Sequence, residues 1–154
     1  MTRTATVNRT TKETRIALTL DLDGTGQADV ETGLGFLDHM LSSLAFHGRL
    51  DLHLRCQGDL PVDDHHTVED CALALGTALD QALADRAGIA RSGSAYAPLD
   101  EALARAVVDL SGRPWPSVDL GLKRELLGAV ACENIVHFFN SLALAGRLCL
   151  HVDV

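Results

Sequence analysis

The stretch HMLSSLAFHGRLDLH, residues 39–53, has a close copy near the end of the chain, HFFNSLALAGRLCLH at residues 137–151. Nine positions match without a gap, among them two histidines, a glycine and an arginine. A shared preference for Leu and Ala would not align those residue types. The sequence therefore predicts an internal duplication, with one half-domain at residues 1–88 and a second at residues 89–154.

The upstream part of the repeat determines the secondary structure predicted for residues 101–110, which propensity alone leaves ambiguous. Residues 13–24 lie over residues 101–112 in a shifted register, with Asp21 over Asp109. Residues 101–110 have helical propensity, but their counterpart alternates apolar and polar side chains as a half-buried strand does. We therefore predict a strand at residues 101–110.

The remaining elements of the first half follow from hydrophobic periodicity and from turn residues. Alternation predicts strands, and Asp23-Gly24 predicts a hairpin turn into a short return strand. A helix after Gly35 carries an apolar stripe and ends at Gly48, and a longer helix ends near Gly88. The strands are expected at residues 5–10, 14–22, 27–32 and 49–57, the long helix at residues 64–86, and the stripe consists of Phe36, Leu37, Met40, Leu41 and Leu44.

Composition restricts the classes of partner. The 154 residues are 47% hydrophobic, enough for one compact core, and the net charge is −8 with only two lysines. Nucleic-acid binding needs clustered cations, so a nucleic-acid partner is not expected. No apolar run reaches membrane-spanning length, and no membrane partner is expected. The four cysteines lack metal-site spacing and are interpreted as buried reduced thiols in a cytoplasmic protein.

Residues 63–70, DDHHTVED, place two imidazoles and a carboxylate in one helical turn. His65 and Glu69 are four apart and share a helix face, while His66 and Glu69 are three apart. Two adjacent histidines cannot easily face one ion, so His65 and His66, if both are ligands, serve two different ions. Imidazole with carboxylate suits manganese, iron or zinc. The alternative is a helix start with Asp63 or Asp64 as N-cap and two solvated histidines.

A phosphatase interpretation competes for other residues. DLDGT at residues 21–25 matches the nucleophile motif of haloacid dehalogenase-type phosphatases, and Asp59 with Asp63 resembles their magnesium motif. That nucleophile should end a buried parallel strand, whereas residues 15–23 alternate like an antiparallel one. No lysine lies between the two motifs. The context therefore disfavours the phosphatase.

Five motifs in order resemble the imidazoleglycerol-phosphate dehydratase family. They are TTKET (residues 10–14), TGLGFLDHML (32–41), DHHTVED (64–70), DLSGRP (109–114) and HFF (137–139). The resemblance implies an α+β fold in which each duplicated half is a small mixed sheet with two helices, the helices being sandwiched between two sheets. It also implies a homo-oligomer with active sites at subunit interfaces and two Mn²⁺ ions in each site.

Site residues carry over from the resemblance position by position. Glu13, Arg91 and Arg113 match substrate-contacting positions, and Glu13 is our candidate for the catalytic proton shuttle. Arg91 and Arg113 suit phosphate because a guanidinium offers forked donors. Asp38 is a candidate acceptor that would orient an imidazole. The implied metal ligands are His39, His65, His66, Glu69 and His137.

The implied reaction is dehydration of imidazole glycerol phosphate to imidazole acetol phosphate in histidine biosynthesis. No carbonyl activates the carbon that loses its proton, so electrons must pass through the imidazole ring, and Lewis-acid ions on the ring nitrogens would stabilise it as an imidazolate. The family's second HHxxE helix would lie beyond Val154. We therefore expect a second half that lacks its last helix and an incomplete ligand set. A non-catalytic metal-binding assembly subunit remains the other alternative.

Overall fold

The computed structural model of the chain describes residues 2–154 and contains two four-stranded mixed sheets with three long helices. The first half runs through β1 (Thr4–Thr10), β2 (Thr14–Asp21), β3 (Ala28–Glu31), α1 (Gly35–Gly48), β4 (Asp51–Gly58) and α2 (His65–Leu83). The second half runs through β5 (Ser92–Leu99), β6 (Ala102–Asp109), β7 (Trp115–Asp119), the two-residue strands β8 (Leu126–Leu127) and β9 (Val130–Ala131), α3 (Cys132–Ala145) and β10 (Cys149–Asp153).

The two sheets share one topology. Their strand orders are β1-β2-β4-β3 and β5-β6-β10-β7, and in each the last strand pairs in parallel while the others pair antiparallel. Helices α1 and α3 occupy equivalent places, because α1 precedes β4 and α3 precedes β10, the third strand in the order of each sheet. After each of these helices an arginine adopts the left-handed conformation, Arg49 with φ 54° and Arg147 with φ 51°. The α+β duplicated fold is confirmed, and the 88/89 boundary remains a prediction.

The main core lies between the first sheet and α2. The inward residues of β2, Ile16, Leu18 and Leu20, are each 1% exposed and pack with Val68 and Leu75 of α2. Burying a side chain of this size stabilises the fold by roughly 1.5–3 kcal/mol. Helix α3 packs on α2 and on β7 of the second sheet, which places helices between the sheets.

The second sheet is more exposed than the first. Every residue of β5 is exposed, including Tyr96 and Leu99, and Trp115 at the start of β7 is 66% exposed. Within residues 2–154 the second half contributes one long helix where the first contributes two. None of the helices in these residues is both long and apolar enough to span a membrane.

The Asp23-Gly24 hairpin prediction is wrong. Strand β2 is flanked by β1 and β4, and β3 instead pairs in parallel with the far side of β4. The connecting segment passes over the start of β4, where Asp51 Oδ1 accepts the backbone N–H groups of Thr25, Gly26 and Gln27 at 2.8, 3.0 and 2.9 Å. These hydrogen bonds to the Asp51 carboxylate hold the connecting segment across β4, so β3 does not return alongside β2.

Two helix predictions need correction. Helix α1 buries Leu37, Leu41 and Ala45, while Met40 and Leu44 are 46% and 45% exposed, so the buried stripe is narrower than predicted. Helix α1 ends at Gly48 as predicted, but Arg49 supplies the left-handed residue. Helix α2 ends at Leu83, short of Gly88. The strand predicted at residues 101–110 is confirmed as β6, because its pairing with β5 and β10 overrides its helical propensity.

Candidate metal centre

The first turn of α2 is fixed by contacts on both sides of His65 and His66. Asp63 Oδ1 accepts the His65 backbone N–H at 2.9 Å, and Asp64 is the N-cap residue although its side chain makes no capping bond. Gly58, the last residue of β4, allows the buried Thr67 to approach, since a Cβ at Gly58 would lie 2.0 Å from Thr67 Oγ1. The helix therefore starts where β4 and its loop hold it.

His65, Glu69 and His137 form one group. His137 Nε2 lies 3.0 Å from Glu69 Oε1, and His65 Nε2 lies 3.7 Å from Glu69 Oε2. The rings of His65 and His137 stack with their centroids 5.0 Å apart. All three side chains are partly exposed, at 33–41%. The group joins the start of α2 to the second turn of α3.

The donor set fits a divalent cation. Ligand atoms from the three side chains lie within 4.8 Å of one another. Adjacent ligands of an octahedral ion with bonds near 2.1 Å are about 3 Å apart, so only small side-chain shifts would admit an ion. Two imidazoles and a carboxylate are also the donor types that manganese, iron and zinc accept.

Each of the adjacent histidines has a separate partner on Nδ1. His65 Nδ1 lies 2.9 Å from Asn134 Oδ1, and His66 Nδ1 lies 3.0 Å from Asp59 Oδ2. The hydrogen bond to Asp59 raises the pKa of His66, and the nearby charges of Glu13 and Asp63 add to that effect. His66 lies outside the group of three, and its service to a second ion stays a prediction.

Helices α2 and α3 are held in close contact along their length. Asp64 Oδ2 accepts the Ala131 N–H at 2.8 Å, immediately before α3. Farther along, Gly76 contacts the end of α3, since a Cβ at Gly76 would lie 2.7 Å from the Leu142 carbonyl oxygen. These contacts set the position of His137 relative to His65.

His39 is not part of the group that the described residues form. It is exposed on α1, and the cluster contains only His65, Glu69 and His137. Asp38 contacts no imidazole within the described residues, and its Oδ1 accepts the Thr32 N–H at 2.8 Å and the Thr32 hydroxyl at 2.6 Å, so its role in orienting an imidazole stays a prediction. Asp38 thus stabilises the entry into α1.

Glu13 lies in the tight turn between β1 and β2 and is partly buried. Thr11 Oγ1 accepts the backbone N–H groups of Glu13 and Thr14 at 3.1 and 2.9 Å. The Thr14 hydroxyl in turn donates to the buried Asp70 of α2. Helix α2 therefore fixes the turn that carries Glu13, and the charge of Glu13 contributes to the raised pKa of His66.

Arg91 and Arg113 lie at the same end of the second sheet, Arg91 before the edge strand β5 and Arg113 before the opposite edge strand β7. The residues Ser92, Asp109, Cys149 and Trp115 stand in register across β5, β6, β10 and β7. Arg91 immediately precedes this row, and Arg113 lies two residues before it. Both arginines are exposed, and Arg91 Nε lies 2.8 Å from Asp109 Oδ1. The same end of the sheet lies next to the end of α2, where Arg86 donates to the Leu110 carbonyl at 2.9 Å.

Sequence reasoning missed the partners of the histidines. Asn134 and Asp64 are absent from the predicted metal site, and Asp59 enters the predictions only through the phosphatase motif. Asn134 precedes His137 by three residues on the same helix, a spacing that puts both on one face and is a usable signal. No comparable signal in the sequence points to the bond between Asp64 and Ala131.

Comparison with known proteins identifies the family of this arrangement. The sequence profile described as imidazoleglycerol-phosphate dehydratase matches residues 32–154. The dehydratase of Salinibacter ruber is 57% identical over 152 residues, which are 99% of this chain and 75% of that protein. The chain belongs to the imidazoleglycerol-phosphate dehydratase family. Its predicted family resemblance is thereby confirmed.

Other relatives agree with this assignment. The dehydratase of Phytophthora nicotianae is 58% identical over 152 residues, which are 99% of this chain but 34% of that protein. The crystal structure of the dehydratase from Staphylococcus aureus has a TM-score of 0.86 at 35% identity, covering 97% of this chain and 82% of that one. The family name favours neither a phosphatase nor a non-catalytic subunit. The antiparallel setting of β2 also argues against the phosphatase.

Proposed function

We propose that this chain provides a metal-dependent hydro-lyase that dehydrates imidazole glycerol phosphate to imidazole acetol phosphate in histidine biosynthesis. The observation that carries the proposal is the convergence of His65 and Glu69 with His137, within 4.8 Å, in a member of the dehydratase family. Relatives in the family are named dehydratases, and a dehydratase is a hydro-lyase, which supports this reaction class. A cytoplasmic location fits a biosynthetic enzyme with free cysteines.

The metal assignment is Mn²⁺, two ions per active site. His65, Glu69 and His137 would hold one ion, and His66 together with His39 of a neighbouring chain would contribute to the second. When bound, the ions supply a Lewis acid for the imidazole ring of the substrate. His65 and His66 each engage an acceptor through Nδ1, and this leaves Nε2 available for coordination.

Glu13 is proposed as the proton shuttle. Its backbone is fixed by Thr11, its side chain is partly buried, and its charge contributes to the raised pKa of His66. A carboxylate in this position can accept a proton from the glycerol side chain of a substrate whose ring is held beside His66. The fixed turn limits the motion of the carboxylate and thereby favours transfer at one carbon.

Arg91 and Arg113 are proposed to bind the phosphate, and their placement supports an active site shared between chains. Helix α2 has 19 residues, and at 1.5 Å per residue it separates its two ends by about 28 Å. The metal ligands are at its start, and the two arginines lie near its end. A small substrate cannot reach both ends in one chain, so the arginines of a second chain would complete the site.

A turnover assay tests the proposed reaction. The purified chain with added Mn²⁺ should convert imidazole glycerol phosphate to the acetol phosphate, and Glu13→Gln should abolish turnover while Mn²⁺ binding persists. Glu101→Gln, which alters an exposed glutamate in the turn between β5 and β6, is the matched control and should leave turnover unchanged. Wild-type protein that binds Mn²⁺ but gives no product would overturn the assignment for this chain.

Mixed assembly tests the shared site. Glu69→Gln and Arg113→Gln should each be inactive alone, but co-assembled chains should recover up to about a quarter of wild-type turnover, because random pairing brings intact Glu69 and intact Arg113 together in that fraction of sites. If both residues served one site from the same chain, every mixed site would stay defective. Absence of recovery in verified mixed oligomers would therefore refute the shared site.

A further inference from the structure

Asn134 is a buried polar residue in the first turn of α3, with 6% of its surface exposed. Its Oδ1 lies 2.9 Å from His65 Nδ1, across the contact between α3 and α2. It also precedes His137 by three residues, so the backbone that carries His137 carries the partner of His65. Asn134 therefore contacts the imidazole of His65 through its side chain and is connected to His137 through the backbone of α3.

We propose that Asn134 is a positioning residue of the metal centre that selects the tautomer and the ring orientation of His65. An amide oxygen can only accept, so this bond places the proton of neutral His65 on Nδ1. The lone pair of Nε2 is then directed toward Glu69, 3.7 Å away. The inference rests on the proposed function, because its consequence is a preformed site for a divalent ion.

The contact is separable from the general packing of α2 on α3. Asp64 joins α2 to the start of α3 through the Ala131 backbone, and Gly76 fixes the opposite end of the helix pair. Neither contact involves an imidazole. Removing the Asn134 amide therefore leaves two other ties in place, while it releases His65 to rotate or to change tautomer.

The experiment compares three variants with the wild-type protein. Asn134→Leu removes the acceptor at similar volume, and Asn134→Asp keeps an acceptor oxygen in the same place. Asn140→Leu makes the same chemical change on a partly buried residue of the same helix that has no role in the site. The dissociation constant of Mn²⁺ is measured from the electron paramagnetic resonance signal of free ion. The His65 tautomer is measured by ¹⁵N NMR of histidine-labelled, metal-free protein, and the thermal midpoint reports folding.

The expected result is a roughly 10- to 100-fold weaker Mn²⁺ affinity for Asn134→Leu, as for the loss of other partners of ligating histidines. Asn134→Asp should remain close to wild type, and Asn140→Leu should not change the affinity. In Asn134→Leu the ¹⁵N shifts should show His65 losing its preference for a protonated Nδ1. A purely structural role would lower the thermal midpoint while the affinity and the tautomer stayed constant.

The outcomes separate this inference from the function on which it rests. If the wild-type protein binds Mn²⁺ and Asn134→Leu binds it equally well, the positioning role is wrong and the dehydratase proposal stands. If the wild-type protein binds no Mn²⁺, both fail. Should Asn134→Leu fold poorly, the tautomer of His65 in well-folded Asn134→Asp and in the wild type decides, because a protonated Nε2 in both would overturn the proposal.

Discussion

His137 Nε2 lies 3.0 Å from Glu69 Oε1, although 68 residues separate the two in sequence. This contact joins helices from the two halves of the duplication at a point where His65 is also within reach. Because imidazole and carboxylate meet at a partly exposed place, the carboxylate is available to neutralise the charge of a cation. The duplicated fold thereby brings together candidate ligands that neither half holds alone.

Glu69→Gln should therefore weaken Mn²⁺ binding by at least roughly 100-fold, since it removes a charged ligand and not only a ligand's partner. The amide is nearly isosteric, so the thermal midpoint should stay close to that of the wild type. Isothermal titration with Mn²⁺ measures the affinity, and Glu101→Gln is the control for loss of one acidic charge. Unchanged affinity in Glu69→Gln would remove this residue from the ligand set.

Gly76→Ala should destabilise the chain by about 1–3 kcal/mol, because the added methyl group overpacks the helix contact. Its Cβ would lie 2.7 Å from the Leu142 carbonyl and 2.8 Å from the Ala145 side chain. A helical Gly→Ala change in open space stabilises instead, by up to about 1 kcal/mol. Urea unfolding of Gly76→Ala and of the wild type measures the difference in stability.

Gly35→Ala is the matched control for this change, because a Cβ at Gly35, the first residue of α1, meets nothing within 4 Å. If both alanine variants were equally stable, the helix pair would not depend on a close approach at Gly76. A destabilised Gly76→Ala with weaker Mn²⁺ binding would further connect the helix contact to the geometry of His137.

The sequence was sufficient for the duplication, the order of elements in the first half and the grouping of His65 with Glu69, because each depends on periodicity or on a repeated string. It did not reveal that the segment between β2 and β3 crosses β4, because that path depends on Asp51 accepting three backbone N–H groups of a distant segment. The pairing of Asn134 with His65 was also missed, because it depends on how two helices pack. Contacts between elements distant in sequence carry no local pattern.

Asp70→Asn should lower the free energy of unfolding by about 2–3 kcal/mol, because the charge-assisted hydrogen bonds of a buried carboxylate are lost. The loss is limited because the partly exposed Arg9 guanidinium can be solvated instead. Asp70 is 5% exposed and accepts from Arg9 Nη2 at 2.7 Å and from the Thr14 hydroxyl. Because these bonds fix the turn that holds Glu13, turnover should also fall.

Asp100→Asn provides the control, because Asp100 is exposed in a left-handed turn, a conformation that Asn tolerates as well as Asp does. Chemical denaturation at neutral pH distinguishes the two variants. Equal stability of Asp70→Asn and the wild type would show that the link between α2 and the turn of Glu13 adds nothing to folding.

The carboxylate of Asp51 gives the fold a specific dependence on pH. The backbone N–H groups of Gln27, Thr25 and Gly26 hold the pKa of Asp51 below its ordinary value. A group whose pKa is lowered by folding stabilises the native state above its unfolded pKa of about 3.9, and this contribution is lost as the pH falls through the folded value. Asp51→Asn cannot titrate and should be less stable than the wild type at neutral pH. Urea unfolding of both proteins should show this difference shrinking below about pH 4, whereas a constant difference down to the acid limit of folding would contradict the role of the charge in holding the β3 crossover.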